Sequence, residues 1–236
     1  MAYNEMTTDP TALDGDEALQ VFLNSGALEW ARVQAQNYTR LMAYYRCAMM
    51  EIETKFNVLN EEFSLRHDRN PISSIKTRLK SPLSIKHKLD RKSLPITLAA
   101  IEEEVNDVAG IRVVCSFVDD VYMLADALLA QDDIELIARK DYISDPKESG
   151  YRSLHLIVSV PIFLASEKKY MKVEIQLRTI AMDFWASLEH ELRYKAEGPV
   201  PDAILQELQE CAKIIAQTDR KNEGHRTAGA QNFVDN

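Results

Sequence analysis

Residues 172–178, KVEIQLR, alternate between polar and apolar side chains. Because successive side chains of a β-strand point to opposite faces, the alternation predicts a strand with Val173, Ile175 and Leu177 on its buried face. The opposite face carries the polar members of the segment, Lys172, Glu174, Gln176 and Arg178. Exposed strands also place such residues in cross-strand pairs, so this segment alone predicts a sheet without deciding a function.

The segments on both sides of this strand predict a sheet interleaved with helices. Strand patterns occupy residues 73–80, 107–117, 134–143, 153–164 and 170–178. Helical patterns occupy residues 26–63, a segment that begins at 81, and residues 95–105, 119–131, 179–196 and 201–217. The last three strands follow one another without an intervening helix and can pair as hairpins. We therefore expect an α+β or α/β fold with a mixed sheet.

Long amphipathic helices are predicted near both ends of the chain. Their apolar side chains recur every three or four positions, which is typical of a helix that packs one face on a core. The first stripe is Tyr38, Leu41, Tyr45, Met49, Ile52, Phe56, Leu59 and Phe63. The second stripe is Ile204, Leu208, Cys211 and Ile215, and it can pack on its own domain or on another subunit. On the helix at 179–196, we expect Phe184 and Trp185 in the core.

Composition excludes several classes of protein. The chain has 236 residues, 46% of them hydrophobic, which suits one main domain. Its net charge of -9 disfavours a general nucleic-acid coat, which needs a broad positive surface. No signal peptide and no run near the ~20 apolar residues of a membrane span is visible, so we expect a cytoplasmic protein with no membrane partner. The widely spaced Cys47, Cys115 and Cys211 are expected to be buried thiols, since no disulfide framework or zinc motif is present.

A basic run at residues 76–92 contrasts with this acidic average. On the predicted strand at 73–80, the basic side chains that share one face are Lys76, Arg78 and Lys80. The following helix begins at Ser81 and Pro82, a good N-cap and first-turn pair, and its N-terminal amides form a second anion-binding element. Ser84 and Lys88 lie one turn apart on that helix. This arrangement favours a compact polyanion such as a nucleoside triphosphate, although a solvated basic face has the same composition.

Two carboxylates on predicted strands indicate a site for a divalent metal ion. Asp107 opens the strand at 107–117, and Glu174 lies within the strand at 170–178. A carboxylate at the mouth of a sheet can hold a metal together with a second carboxylate from a neighbouring strand. Their distance in sequence leaves the pairing open. The alternatives are Asp119, Asp120 and the acids at 102–104, which occupy predicted helix starts or an exposed helix face, where acids are commonly structural.

Residues 141–155, DYISDPKESGYRSLH, place a Pro-and-Gly turn between two predicted strands. Together with RLKSPLSIKHKL (78–89), NDVAGIRVV (106–114) and VEIQLRTIAMDFWASLEH (173–190), this segment resembles the synthetase domain of the RelA/SpoT family. The similarity is greatest to the small, single-domain alarmone synthetases and extends from about Trp30 to Lys195. Each motif alone is weak, whereas four motifs in the family's order are specific.

The resemblance implies a nucleotidyltransferase-like α+β fold, in which a mixed sheet is flanked by helices and long helices lie at both ends. It implies transfer of pyrophosphate from ATP to the 3′-hydroxyl of GDP or GTP, which gives ppGpp or pppGpp and AMP. Mg²⁺ is the implied cofactor, with Asp107 and Glu174 as its ligands, and Glu174 is expected to activate or orient the 3′-hydroxyl as a base. The ATP-binding positions of the family are matched by Arg78, Lys80, Ser84 and Lys88, with Arg112 as a further phosphate contact.

The turn at 141–155 matches the family's acceptor-binding segment. Tyr151 matches the tyrosine that stacks on guanine, and Gly150 permits the turn that presents it. The positions that contact the acceptor's phosphates and sugar are matched by Lys147 and His155, and the same face is completed by Gln176 and Arg178. Ser149 stands where many relatives have Asn, which puts one polar contact in question.

The expected organisation has three parts: an acidic tail and short helix at 1–25, the synthetase domain at 26–200, and a C-terminal helix and tail at 201–236. The resemblance associates the terminal helices with a homotetramer. The pair His67-Asp68 also occurs in the hydrolase half of long relatives, but that half needs further His and Asp ligands, and no histidine precedes His67. We therefore expect synthesis of the alarmone without its hydrolysis.

Two alternative functions remain at this stage. Toxic relatives use the same fold to modify adenine nucleotides or the 3′ end of tRNA, although the acidic composition disfavours stable binding of nucleic acid. A non-enzymatic RNA-binding regulator would be a decayed synthetase, whereas Asp107, Glu174 and the basic run are all present. Regulation by RNA stays open.

Overall fold

The computed structural model describes residues 26–67, 69–195 and 201–234. In these residues the helices are α1 (Ala27–His67), α2 (Pro82–Arg91), α3 (Leu98–Glu104), α4 (Val118–Leu129), α5 (Ile180–Lys195) and α6 (Asp202–Val234). The strands are β1 (Ile72–Leu79), β2 (Ala109–Cys115), β3 (Glu135–Asp141), β4 (Leu154–Phe163) and β5 (Lys168–Thr179). The N-terminal tail expected at 1–25 and Asp68 of the His67-Asp68 pair lie outside the described residues.

The chain divides into two compact units, Met1–Ala43 and Tyr44–Asn236. The described part of the first unit is the N-terminal portion of α1 with the residue before it. The second unit contains the remainder of α1, the five strands and the helices from α2 onward.

The five strands form one mixed sheet in the order β1-β2-β5-β4-β3. Strands β2 and β5 are parallel neighbours at the centre, and the other three pairs are antiparallel. The expected mixed sheet is therefore confirmed, as is hairpin pairing of the three late strands. Parallel pairing of β2 with β5 requires a long crossover, which α4, β3 and β4 supply.

The alternation at 172–178 produces a strand with two distinct faces. Val173, Ile175 and Leu177 are fully buried, while Glu174 and Gln176 between them are half-buried on the opposite face. Helix α4 packs on β2 and β5, and its own apolar residues are buried. One face of the sheet thus belongs to the core, and the other is left for polar side chains.

The stripe predicted for the N-terminal helix is confirmed in the second unit. Tyr45, Ile52 and Phe56 are almost completely buried. Polar contacts attach the same part of α1 to its surroundings: Lys55 Nζ lies 2.7 Å from Asp133 Oδ2, and Asn60 Oδ1 accepts a hydrogen bond from the backbone of Ile72 at 3.0 Å. These contacts connect α1 to the α4–β3 connection and to the start of β1.

Helix α2 begins as its sequence predicts. The hydroxyl of Ser81 accepts a hydrogen bond from the backbone N–H of Ser84 at 3.2 Å, and Pro82 occupies the first turn, where no intrahelical donor is needed. Two basic residues, Lys88 and Arg91, lie in the last turn. The cap therefore sets the point at which the chain leaves β1 and turns into the helix that carries Lys88.

Helices α5 and α6 pack against each other, and this packing corrects two expectations. Trp185 is buried as expected, but Phe184 is 64% exposed, because neighbouring residues on a helix point about 100° apart. The packed stripe of α6 runs through Leu208 and Ala212, so Cys211 is exposed and not buried. Cys47 is half-buried, and only Cys115 of the three cysteines is fully buried.

None of the helices in the described ranges is long and apolar enough to cross a membrane.

Candidate active site

A cleft of about 600 Å³ opens on the polar face of the sheet. Strands β1, β2 and β5 form its floor, and α5 forms one wall. Eight of the twelve residues that the sequence assigns to a site line this cleft: Arg78, Lys80, Asp107, Arg112, Tyr151, Glu174, Gln176 and Arg178. The candidate carboxylates, the basic residues and the aromatic ring predicted for base stacking therefore share one cavity.

Strand register explains why these residues converge. Arg78 on β1 is the cross-strand partner of Gly110 on β2, and Gly110 is the partner of Glu174 on β5. One pleat further along, Arg112 pairs in register with Gln176. Residues that pair directly across neighbouring strands point to the same face. The glycine between Arg78 and Glu174 has no side chain, so it leaves open space in the floor.

Asp107 is held by two lysines at the mouth of the sheet. Lys80 Nζ lies 2.9 Å from its Oδ2, and Lys88 Nζ lies 2.8 Å from its Oδ1. Burial alone would raise the pKa of the Asp107 carboxyl, but hydrogen bonds from Lys88 and Lys80 bring it below its ordinary value. Asp107 is therefore ionised at neutral pH. Lys88 and Lys80 come from α2 and the end of β1, so the predicted joining of these two basic elements is observed.

Glu174 lies in a short network of polar side chains. Its Oε1 is 3.6 Å from His155 Nδ1, and its Oε2 accepts a hydrogen bond from Gln176 Nε2 at 3.1 Å. Burial raises the pKa of Glu174, but the contacts with His155 and Gln176 lower it, and the result lies below the ordinary value. A carboxylate that stays ionised at neutral pH is able to bind a cation or to accept a proton.

The donor set at this end of the cleft suits Mg²⁺. Asp107 and Glu174 are close enough that the charge of Asp107 raises the pKa of Glu174. Mg²⁺ is commonly bound by one or two carboxylates together with water and substrate phosphates. Two protein carboxylates with several cationic side chains nearby therefore fit this ion better than a metal that requires four or more protein ligands. No group of three or more His, Cys, Asp or Glu side chains arranged for a metal occurs in the residues described.

Tyr151 is fixed by hydrogen bonds to its hydroxyl. Arg178 Nη2 donates to this oxygen at 2.5 Å, and His155 Nε2 lies 2.8 Å from it. The guanidinium carbon of Arg178 is 5.0 Å from the centre of the tyrosine ring, and the ammonium of Lys147 is 4.8 Å from it. Both distances are within the range of cation–π contacts. The ring is therefore oriented before any nucleotide binds.

Four of the sequence-assigned residues do not line the cleft. His155 contacts Glu174 and Tyr151 from β4, and Lys88 contacts Asp107 from α2. Lys147 lies against the rings of Tyr142 and Tyr151, and Ser84 forms a local hydrogen bond with Ser81 at the start of α2. Three of these four therefore contact a residue that does line it.

Helix α6 supports the turn that precedes Tyr151. Gly150 has φ +88°, a left-handed conformation that favours glycine, and a Cβ there would lie 2.5 Å from the Cβ of Ala212. Gln209 Nε2 donates to the carbonyl of Glu148 at 2.8 Å, and Trp185 Nε1 donates to the carbonyl of Leu208 at 2.9 Å. The apolar stripe of α6 thus packs on its own domain, against α5 and this turn.

Sequence reasoning missed several residues of the cleft. Thr77 and residues of α5 between Ala186 and Glu191 line it, and so does Lys76, which was predicted only as part of the basic strand face. Asp183, in the first turn of α5, forms ion pairs with three basic side chains on the floor of the sheet. An acid in a first helical turn commonly interacts with the helix dipole, so its position alone did not distinguish it. The sequence signal that could have identified Asp183 is its position five residues after Arg178, where the polar face of the strand ends.

Comparisons with known proteins show the family to which the chain belongs. Residues 77–199 match a sequence family described as the region found in RelA / SpoT proteins. The chain is 43% identical over 186 residues to the GTP pyrophosphokinase YwaC of Bacillus subtilis, which covers 79% of this chain and 89% of that protein. It is 37% identical over 186 residues to the GTP pyrophosphokinase YjbM of the same organism, which covers 79% and 87%. The fold and the cleft define a nucleotidyltransferase-like domain, and the chain belongs to the RelA/SpoT family.

Solved structures of small alarmone synthetases are similar to this chain over most of its length. The crystal structure of small alarmone synthetase 1 from Bacillus subtilis bound to its product pppGpp superposes with a TM-score of 0.74 and 37% identity, over 82% of this chain and 98% of that one. Small alarmone synthetase 2 from the same organism superposes with a TM-score of 0.74 and 40% identity, over 81% and 99%. Both cover nearly the whole length of the compared protein, so the predicted α+β fold is confirmed.

Proposed function

We propose that this protein is a (p)ppGpp synthetase, which transfers pyrophosphate from ATP to the 3′-hydroxyl of GDP or GTP and releases AMP. The observation that carries the proposal is the shared cleft, in which Asp107 and Glu174 lie beside basic residues and Tyr151. A reaction between two nucleotides needs charge neutralisation for both, a grip on a base and an ionised carboxylate near the reacting hydroxyl. The names of the similar proteins, GTP pyrophosphokinases and small alarmone synthetases, agree with this chemistry.

The proposed ATP side consists of β1, α2 and the start of β2. Arg78 and Arg112 face the cleft from neighbouring strands, and Lys80 lies at its rim. The N-terminal turn of α2, which contains Ser84, adds the partial positive charge of a helix N-terminus, which favours phosphate. Lys80 and Lys88 form ion pairs with Asp107, and a triphosphate offers them a more highly charged partner.

The proposed acceptor side consists of the turn before Tyr151 and the polar end of β5. The phenol ring stacks on guanine, while Arg178 and His155 hold its hydroxyl. The ammonium group of Lys147 lies over the rings of Tyr142 and Tyr151. From this position it can leave the rings and contact the acceptor's phosphates. Gln176, which bridges Arg178 and Glu174, connects the base-binding end of the site to the reacting end.

The chemical step follows from these positions. The 3′-oxygen of the acceptor attacks the β-phosphorus of ATP, the new O–P bond forms as the bond to the α-phosphate oxygen breaks, and AMP leaves. Glu174 accepts the proton of the 3′-hydroxyl, a role that needs the ionised form which His155 favours. Asp107 and Glu174 would hold Mg²⁺, which would supply neutralisation of phosphate charge. The basic side chains stabilise the charge that develops on the phosphates, so positioning and electrostatics provide most of the catalysis.

We also propose that the protein acts in the cytoplasm, where both nucleotides are available, and assembles as a homotetramer. Support for assembly comes from an exposed apolar stripe on α5 with four-residue spacing, which consists of Ile180, Phe184, Leu188 and Leu192. Light scattering coupled to gel filtration measures the mass directly. Charged substitutions at Phe184 should dissociate the assembly if the stripe forms the interface.

The decisive experiment for the reaction is a transfer assay. Purified protein is incubated with Mg²⁺, ATP labelled at the β-phosphate and, in separate reactions, GDP, GTP, ADP or tRNA, and the products are separated. Label in GDP or GTP together with release of AMP supports the proposal. Label only in ADP or tRNA assigns the cleft to a toxin-like reaction instead. Absence of transfer to every acceptor contradicts an enzymatic role.

A further inference from the structure

Asp183 is a buried carboxylate that contacts three cations at once. Its Oδ1 lies 3.2 Å from Arg112 Nη1 and 3.3 Å from Arg178 Nη1, and its Oδ2 lies 3.5 Å from Lys76 Nζ. The residue is only 9% exposed. A carboxylate in such a position loses hydration on folding, and this loss is compensated only when the partners are well placed.

The three cations come from three adjacent strands. Lys76 belongs to β1, Arg112 to β2 and Arg178 to β5, and all three line the cleft. Lys76 and Arg112 are direct cross-strand partners. Like charges on neighbouring strands repel, so this part of the floor would be unfavourable without an acid among them. Asp183 supplies that acid from the first turn of α5.

Arg112 depends on this carboxylate in particular. Burial lowers the pKa of the Arg112 guanidinium and the charge of Arg178 lowers it further, while the charge of Asp183 raises it. The Nε atom of Arg112 is buried without a hydrogen-bond partner among the residues described. The ion pair between its Nη1 and Asp183 is therefore a main contact that orients the guanidinium group. Arg178, the other guanidinium group that Asp183 contacts, also donates hydrogen bonds to Tyr151 and Gln176.

We propose that Asp183 is a positioning residue that fixes Arg112 and Arg178 for the two nucleotides. The inference rests on the proposed function, in which Arg112 contacts ATP and Arg178 orients the ring that grips the acceptor. Asp183 is not among the residues that line the cleft. It acts through the two guanidinium groups and thereby couples the ATP side of the cleft to the acceptor side.

The test compares Asp183→Asn with a matched control, Asp133→Asn. Asp133 forms an ion pair with Lys55 away from the cleft, so its substitution also removes a carboxylate from a long-range pair. For Asp183→Asn we expect KM for ATP and KM for the acceptor each to rise by about tenfold or more, because one charge-assisted contact on each side is lost. For Asp133→Asn we expect a change in the urea midpoint with both KM values as in the wild type.

Asp183→Glu provides a second variant in case the Asp183→Asn variant does not fold. It keeps the charge but moves the carboxylate by one methylene, so both KM values should lie between those of the wild type and of Asp183→Asn. Combining Asp183→Asn with Arg178→Gln should raise the acceptor KM little beyond the larger single effect. Wild-type KM values in both Asp183 variants, with only the urea midpoint lowered, would show a purely structural role and overturn the proposal.

Binding measurements separate this inference from the proposed reaction. Calorimetry gives the dissociation constants of ATP and of GDP for each variant without turnover. A wild-type protein that binds both nucleotides but transfers no pyrophosphate contradicts the reaction, while weaker binding by Asp183→Asn still supports the positioning role. A wild-type protein that binds neither nucleotide contradicts both.

Discussion

Replacing Gly150 by alanine should damage the acceptor side of the cleft and leave the ATP side unchanged. The substitution adds a Cβ at a residue with φ +88°, where it would lie 2.5 Å from the Cβ of Ala212 on α6. A left-handed conformation costs an alanine about 1–2 kcal/mol. Overpacking by a methyl group adds about 1–3 kcal/mol. The sum of about 2–5 kcal/mol is a large part of the roughly 5–15 kcal/mol that stabilises a typical domain.

The turn can relieve this strain by moving away from α6, and Tyr151 would then move with it. We therefore expect KM for GDP or GTP to rise at least about tenfold, the equivalent of 1.4 kcal/mol, while KM for ATP stays within about twofold. Steady-state kinetics with each substrate varied in turn measures the two constants. Urea unfolding followed by circular dichroism measures the accompanying loss of stability.

A double-mutant cycle identifies the origin of the effect. Ala212→Gly removes the opposing Cβ, and by itself it costs about 1 kcal/mol of helix propensity. In the double variant the contact is absent and only the backbone strain at residue 150 remains, so part of the acceptor KM should be recovered. An acceptor KM for Gly150→Ala equal to that of the wild type, with no loss of stability, would refute the packing of α6 on this turn.

Three further predictions concern individual side chains. Glu174→Gln and Asp107→Asn should each abolish product formation while the circular dichroism spectrum stays native, and turnover above about one hundredth of the wild-type rate by either variant would remove it from the reacting end of the site. Tyr151→Ala should raise the acceptor KM far more than the ATP KM, and equal changes in both would argue against stacking on the acceptor base. Burial raises the pKa of Asp219, so the folded protein favours its neutral form, and the stability present at low pH decreases as the pH rises through the folded-state pKa. Asp219→Asn, which can still accept the hydrogen bond from Thr179, should therefore raise Tm at pH 7 but not at pH 3.

The local pattern of the sequence predicted each strand, the cap of α2 and the buried stripe of α1, because these depend on neighbouring residues. Packing between elements was less predictable. Cys211 and Ala212 are adjacent apolar residues on α6, and only the position of α5 and of the Gly150 turn decides that Ala212 is the buried one. Phe184 and Trp185 present the same ambiguity on α5.

The site residues were likewise predictable from local motifs, whereas contacts between distant segments were not. The four motifs identified the residues of the cleft, and register brought most of them together. The motifs did not reveal that Lys80 and Lys88 form ion pairs with Asp107, since this contact joins α2 to the segment before β2. They also did not reveal Asp183, whose three partners lie on strands far apart in sequence. Both contacts depend on distances that exist only after the sheet has formed.

The support of the Gly150 turn by α6 also bears on when the enzyme becomes competent during its synthesis. Every strand of the sheet lies between residues 72 and 179, whereas Gln209 and Ala212, which pack on the turn, lie on α6. Chains emerge from the ribosome N-terminus first, and domains begin to fold as they emerge. The sheet can therefore assemble before α6 has left the exit tunnel. Under the proposed function, we expect a nascent or shortened chain without Gln209 and Ala212 to bind the acceptor more weakly than the full chain.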